Sequence, residues 1–376
     1  ITCILPYISP ICKAFANFTL TACGLGALCA VAALAQGGGA AALAGLAACA
    51  RPSDGSSPAT TGSDGGSAAA ALTLGLTYVP DIQFAPAYVA DKLGWFTEEG
   101  VSVTLRHHGA NESLLGALQT GDEQVVFAGG GEMLQGRSEG VTVRNFATAY
   151  QTYPATIIVP ADSPIQSFAD LRGHSVGLPG EYGENWFYLL AVLAQSGLSR
   201  DDIDVASIGY TQFAALSGGK VDAVVGFLNN EVVRFNEAGF AVRTISLDDP
   251  PLVSAGLGAT DATIAERPAD LVGLLTALTR GAELCTSDPE QAVQLSVDYV
   301  PTLAEPDQQA HALAVLKATT ELYGGQFGVQ NPGRWEAMAG FFADSGLVSS
   351  PVPAGDAYTF AELERAPEHI HTYRIT

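Results

Sequence analysis

Two stretches of the chain carry one pattern: residues 117–132, ALQTGDEQVVFAGGGE, and residues 215–231, ALSGGKVDAVVGFLNNE. In the first, Ala117-Leu118-x-x-Gly121 leads into Val125-Val126-Phe127 and ends at Gly129-Gly130-Gly131-Glu132. In the second, Ala215-Leu216-x-x-Gly219 leads into Val221-Asp222-Ala223-Val224-Val225 and ends at Asn229-Asn230-Glu231. Each reads as a helix, a tight glycine turn, a buried strand and a polar loop at the strand's carboxyl end. One such unit per half predicts an α/β protein of two lobes. Ligands of open α/β sheets bind outside the carboxyl ends of the strands, so both polar loops should face one cleft.

Working outward, strands are expected at 72–79, 101–105, 124–128 and 175–178, and helices at 86–93 and 112–120. Strands alternating with helices imply a parallel sheet covered on both faces. Beyond Pro250 the pattern turns helical, over 268–287, 289–299, 306–323 and 332–345, each run opening at a proline. These helices are expected to pack onto the first lobe. The expected division is 72–155 plus 250–376 for the first lobe and 156–249 for the second.

The N-terminal part has a different character. Residues 14–48 carry no charge and are rich in Ala, Leu and Gly, ending in Leu46-Ala47-Ala48-Cys49. An apolar run closed by small residues is the pattern of a signal peptide, expected over 1–48. Leu-Ala-Ala-Cys resembles the bacterial lipobox, which implies that Cys49 is acylated and anchors the chain in the membrane, each buried methylene contributing about 0.8 kcal/mol. A membrane-spanning helix is the competing reading, opposed by Gly37-Gly38-Gly39 and by the lack of a basic flank. Lys13 is the one charge before Arg51, a weak start for a signal, and residues 1–20 also fit translated upstream sequence. Residues 49–71, rich in Gly, Ser, Ala and Pro, read as a flexible tether.

Composition narrows the function. The 376 residues are 48% hydrophobic and 15% charged, which suits a large packed core. Seventeen basic residues against 39 acidic ones give a net charge of −22, a surface that repels nucleic acid and anionic lipid. Five of six cysteines lie in the first fifty residues; Cys285 falls in a helical pattern and is expected to be buried and inert. The chain contains no Gly-x-Ser-x-Gly elbow, Walker A loop, Gly-x-Gly-x-x-Gly or His-Glu-x-x-His motif. His107-His108 and His369-Ile370-His371 lack partners at zinc-site spacing and are expected on the surface. No catalytic residue, metal or cofactor is expected.

Aromatic and amide side chains instead gather where strand-end loops should lie. They are Tyr78, Asp81, Gln83 and Phe84 in the first loop, Tyr153 at the crossover, and Glu181, Tyr182, Asn185 and Trp186 after the strand at 175–178. Tyr210 with Gln212, and Asn229 with Glu231, follow, and Glu132 closes the first repeat. Aromatic faces clamp flat rings while amides and carboxylates read ring edges. Positive side chains, which an anionic ligand would want, are nearly absent from these loops. A neutral or cationic heterocycle is expected.

Residues 78–100, YVPDIQFAPAYVADKLGWFTEEG, resemble the opening of type II periplasmic solute-binding proteins, in the group for sulfonates, thiamine-pyrimidine precursors and riboflavin. The resemblance continues through 117–132, 167–180 and 208–231. Tyr-x-Pro-x-x-Gln-Phe-Ala-Pro, Gly-Tyr-Thr-Gln and Asn-Asn-Glu look most like the riboflavin-importer binding proteins. That resemblance implies ligand contacts from Tyr78, Asp81, Gln83, Tyr210, Gln212, Asn229 and Glu231. It also implies a monomer that closes about a hinge, an ABC permease as partner, and no enzymatic activity. Pyrimidine precursors and alkanesulfonates are the alternative ligands; pyrimidine binders usually show Asp-Trp where this chain has Thr77-Tyr78. A related enzyme makes the thiamine pyrimidine with a Cys-rich motif, and this chain has no cysteine between Cys49 and Cys285.

Overall fold

The structure, a computed structural model, describes residues 71–109 and 112–360. The expected signal segment, Cys49 and the His369/His371 pair lie outside the described residues.

Ten strands alternate with helices: β1 (Leu72–Leu76), β2 (Val103–His107), β3 (Val125–Gly129), β4 (Val143–Thr148), β5 (Ala155–Pro160), β6 (Ser175–Leu178), β7 (Asp204–Ser207), β8 (Ala223–Phe227), β9 (Val242–Ile245) and β10 (Ala255–Thr260). They form two five-stranded sheets, ordered β2-β1-β3-β10-β4 and β7-β6-β8-β5-β9. Each sheet has a parallel trio, β2-β1-β3 or β7-β6-β8, followed by a strand antiparallel to both its neighbours, β10 or β5. The sheets are thus mixed, not wholly parallel as expected. The physical reason lies in the connections: β5 and β10 each enter from the other sheet, so no helical crossover imposes a parallel direction. Residues 149–154 and 246–254 make those two passages between sheets.

The repeat takes identical places in the two sheets. β3 and β8 are the third strands of their trios, and Val125, Val126, Ala223, Val224 and Val225 are fully buried, as strands covered on both faces require. The expected polar loops after them are instead helix N-termini. One helix (Gly130–Ser138) starts directly after β3, and another (Glu231–Glu237) starts four residues after β8 ends. The glycines admit the first helix to a crowded position: a Cβ on Gly130 would meet Val253, and one on Gly131 would meet Phe342 and Phe187. The helix expected at 112–120 spans only Gly116–Thr120, because the Glu112 carboxylate turns back to accept from Gly109 N at 3.1 Å and pairs with Arg106.

Two large apolar clusters build the core, with two smaller ones beneath the outer helices. Helices Pro268–Ser287, Pro289–Leu295 and Pro306–Leu322 bury their apolar faces in the cluster around β1. The helix Pro332–Asp344 departs from expectation: Trp335, Met338 and Phe342 join the second cluster, with Ile157, Phe187 and Val225. Cys285 is fully buried, and burial pushes its thiol up to about 12, so it is an inert core residue.

The adjacent histidines depart from the expectation of a solvated surface. His108 is buried, its Nε2 within 2.9 Å of the equally buried Glu123, which also takes Arg106 at 2.5 Å. His107 is half-buried between Tyr78 O and Tyr88 Oη, both at 3.1 Å, and burial lowers its pKa. His107 ends β2 and His108 follows it, and a buried carboxylate requires partners there.

Candidate functional site

The helices that follow β3 and β8 each carry a first-turn glutamate that turns back on the strand before it. Glu132 Oε2 accepts from Gly129 N at 3.1 Å, and Glu231 Oε2 accepts from Phe227 N at 2.8 Å, the same device in each repeat. The helix Gly183–Ser196, following β6, carries Glu184 in its first turn. Helix N-termini attract anions through unpaired N–H groups and the macrodipole. The N-terminal turns of the helices after β3, β6 and β8 are thus each already supplied with a carboxylate.

The strand ends enclose a cavity of about 340 Å³. Of the expected site residues, Tyr78, Gln83, Phe84, Glu132, Tyr182, Asn185, Tyr210, Gln212, Asn229 and Glu231 line it. They come from both sheets. Three tyrosines stand exposed at its walls, Tyr78 at 42%, Tyr182 at 57% and Tyr210 at 68%. Tyr210 is hydrogen-bonded to Tyr182, and partial burial pushes its hydroxyl up to about 12. Phe84, against Phe127 at 5.8 Å and His107 at 5.7 Å, belongs to both core and cavity wall. The Asn185 amide Nδ2 donates to Val225 O at 3.2 Å, fastening the Glu184 helix to β8.

Four expected residues do not line the cavity. Asp81 caps the short turn Ile82–Phe84 by accepting from Gln83 N at 3.1 Å, and burial raises its pKa. Tyr153 stacks on Tyr188 at 5.9 Å and donates to Glu184 O at 3.2 Å, holding that helix from behind. Glu181 is exposed and pairs with Arg200 at 3.0 Å. Trp186 packs against the second core cluster, because a helix starting at Gly183 turns positions 185 and 186 to different sides.

Other residues enter that the sequence reading did not select. Tyr150, Glu184, Phe127, Thr77, Asn230 and Arg234 all line the cavity. Glu184 was findable as the first-turn acid corresponding to Glu132 and Glu231. Arg234 lies one turn after Glu231 and sits over the Phe213 ring at 4.8 Å. Neither Tyr150 Oη nor Glu184 Oε1, both sealed from solvent, has a hydrogen-bond partner among the described residues. Burial holds the Glu132 carboxyl up at about 7, and burial plus repulsion from Glu132 holds Glu184 well above the carboxylate range. No Cys or His lines the cavity, and no group of three or more His, Cys, Asp or Glu among the described residues could hold a metal. The arrangement can clamp a flat ring and hydrogen-bond its edge.

The profile of the NMT1/THI5-like family matches residues 81–292. Riboflavin-binding protein RibY of Chloroflexus aurantiacus is 31% identical over 298 residues, covering 77% of this chain and 84% of that protein. A 4-amino-5-hydroxymethyl-2-methylpyrimidine phosphate synthase of Legionella pneumophila is 25% identical over 250 residues, covering 62% of this chain and 75% of the enzyme. In three dimensions the chain resembles the periplasmic aliphatic sulphonate binding protein SsuA of Escherichia coli, with a TM-score of 0.63 at 19% identity over 76% of this chain and 91% of SsuA. The two-lobed periplasmic-binding-protein fold read from the sequence is the fold that the chain adopts.

Proposed function

The chain belongs to the NMT1/THI5-like family, and on that premise we propose that it is an extracytoplasmic solute-binding protein that captures riboflavin or a similar flat heterocycle for an ABC permease. One observation carries the choice of ligand class: the cavity sets Tyr78, Tyr182 and Tyr210 around Glu132, Glu184 and Glu231, against Arg234 alone among the cationic side chains of the described residues. Tyrosine faces suit a planar ring, and so acidic a wall disfavours sulfonate or phosphate. The likeness to a riboflavin-binding relative supports the same class.

In this reading residues 72–155 with 255–330 form one lobe and 156–249 with the helix Pro332–Asp344 the other, and the passages at 149–154 and 246–254 are hinge segments. The ligand docks on one lobe, and closure of the other satisfies the unpartnered Tyr150 and Glu184 atoms. Acylated Cys49 holds the monomer at the outer face of the membrane. No described helix is long and apolar enough to cross a membrane. The enzymatic alternative raised by the synthase relative is disfavoured by a cavity wall without Cys or His.

Thermal-shift screening of the protein tests the ligand class, with riboflavin, flavin mononucleotide, aminopyrimidines, thiamine and alkanesulfonates as probes. A neutral flavin at a hundred times its Kd should stabilise by about 2.7 kcal/mol. Stabilisation by alkanesulfonates alone would overturn the reading.

A further inference from the structure

We propose, resting on the reading of the cleft as a heterocycle site, that Glu132 and Glu184 jointly read the ligand's edge and select rings bearing an N–H flanked by carbonyl oxygens, an imide edge. The two carboxyls arrive from opposite sheets, Glu132 after β3 and Glu184 after β6. They converge over Gly129, where a Cβ would collide with Glu184 Oε1 and lie 3.0 Å from Glu132 Oε2. A Cβ on Gly183 would lie 3.4 Å from Glu132 Oε1.

The pair is asymmetric. Glu132 holds the Gly129 N–H, a donor that favours its ionised form. Glu184 Oε1 is sealed and unpartnered. Two buried carboxylates this close do not both stay ionised, so the proton resides on Glu184, whose carboxyl is held well above its ordinary range by burial and then by Glu132. The titratable groups acting on the pair are phenols, Tyr150 and Tyr153 beside Glu184 and Tyr210 beside Glu132, and Arg234 is the cation on the cavity wall.

A protonated Glu184 donates an O–H beside an ionised Glu132 that accepts. An imide presents the complement, a carbonyl beside an N–H. Tyr150 Oη, unpartnered on the same wall, supplies a second donor for the other carbonyl. A sulfonate offers acceptors and negative charge only. The isoalloxazine ring of riboflavin carries one imide edge, and N-alkylation of that edge removes its donor. Because the bound state needs the proton on Glu184 and none on Glu132, affinity is greatest where Glu132 has ionised and Glu184 has not, and it falls as pH rises through the range in which Glu184 ionises.

Calorimetric titration of the unmodified protein with riboflavin and N3-methylriboflavin, and with alloxazine and its N3-methyl derivative, tests this between pH 5.5 and 8.5. Methylation should weaken binding at least about tenfold in each pair, since a site built for an N–H rejects an analogue lacking it. Glu184→Gln, which cannot ionise, should abolish the loss of imide affinity at high pH, and Glu132→Gln should weaken imide binding at every pH. Equal affinity for parent and methylated rings, or a pH profile that Glu184→Gln leaves unaltered, overturns the proposal. Binding of the alloxazine pair with discrimination but not of riboflavin supports the imide edge and removes riboflavin as the ligand. Binding of no imide overturns the edge proposal itself.

Discussion

Asn229 Nδ2 donates to Thr319 Oγ1 at 3.0 Å, and both residues are buried. The bond ties the strand end of the second repeat to the helix Pro306–Leu322, which packs on the other core cluster. A second tie joins the same pair of helical regions, His311 to Glu237 at 2.6 Å, in an exposed position. Asn229 thus serves the interface between the two halves as well as the cavity wall.

Thr319→Val removes the acceptor and leaves a buried amide donor without its partner. A loss of about 1–2 kcal/mol in stability is expected. Ligand affinity should fall in parallel, because closure loses one of its buried ties. Glu237→Gln, at the exposed pair, should cost under about 1 kcal/mol. Denaturant unfolding of both variants compares the two ties directly.

Tyr210→Ala and Tyr182→Ala should weaken ligand binding about tenfold with little change in thermal midpoint, since both side chains are exposed in the free protein. Trp186→Ala should do the reverse: it lies against the second core cluster and outside the cavity. Its expected cost is about 2 kcal/mol of stability, with affinity retained. Calorimetry and thermal melts on the three variants separate the two effects.

The carboxyl pair also sets a pH dependence of the free protein. A folded pKa raised above the unfolded value gives stability that is complete below the unfolded pKa and lost as pH climbs through the folded one. For Glu132 that window runs from the ordinary glutamate value of 4.5 to about 7, and for Glu184 it extends further upward. Glu184→Gln should therefore raise the thermal midpoint of the free protein more at pH 8 than at pH 5, by about 3 °C or more. A gain independent of pH contradicts this account of the pair.

Gly129→Ala should disturb the site through the Glu184 carboxyl without replacing any lining side chain. The added methyl collides with the Glu184 carboxyl, which must move from its place beside Glu132. A cost of about 1–3 kcal/mol is expected, with loss of ligand affinity. Glu184→Ala in the same chain should relieve part of that cost.

Much of this architecture was legible in the sequence because its signals are local. The paired 117–132 and 215–231 patterns placed two buried strands, and prolines at 268, 289, 306 and 332 marked four helix starts. The antiparallel insertion of β5 and β10 was not legible, since strand direction depends on which sheet receives the chain after a crossover. The same limit governs the site. Tyr78, Tyr182 and Tyr210 line the cavity, and their strand-end position and aromatic character can be read along the chain. Trp186 packs against the second cluster instead of lining the cavity, because one residue of helical phase turns a side chain from cleft to core. Glu184 was passed over because its significance comes from Glu132, which lies 52 residues earlier and on the opposite sheet.

The central claim is capture of a flat, neutral heterocycle in the cleft lined by Tyr78, Tyr182, Tyr210 and the glutamate pair. Riboflavin fluorescence titrated with the purified protein measures it most directly. The account predicts saturable quenching with one site per chain, weakened about tenfold by Tyr210→Ala and untouched by excess alkanesulfonate. Riboflavin fluorescence unaltered by the protein, together with tight binding of an alkanesulfonate, would contradict it.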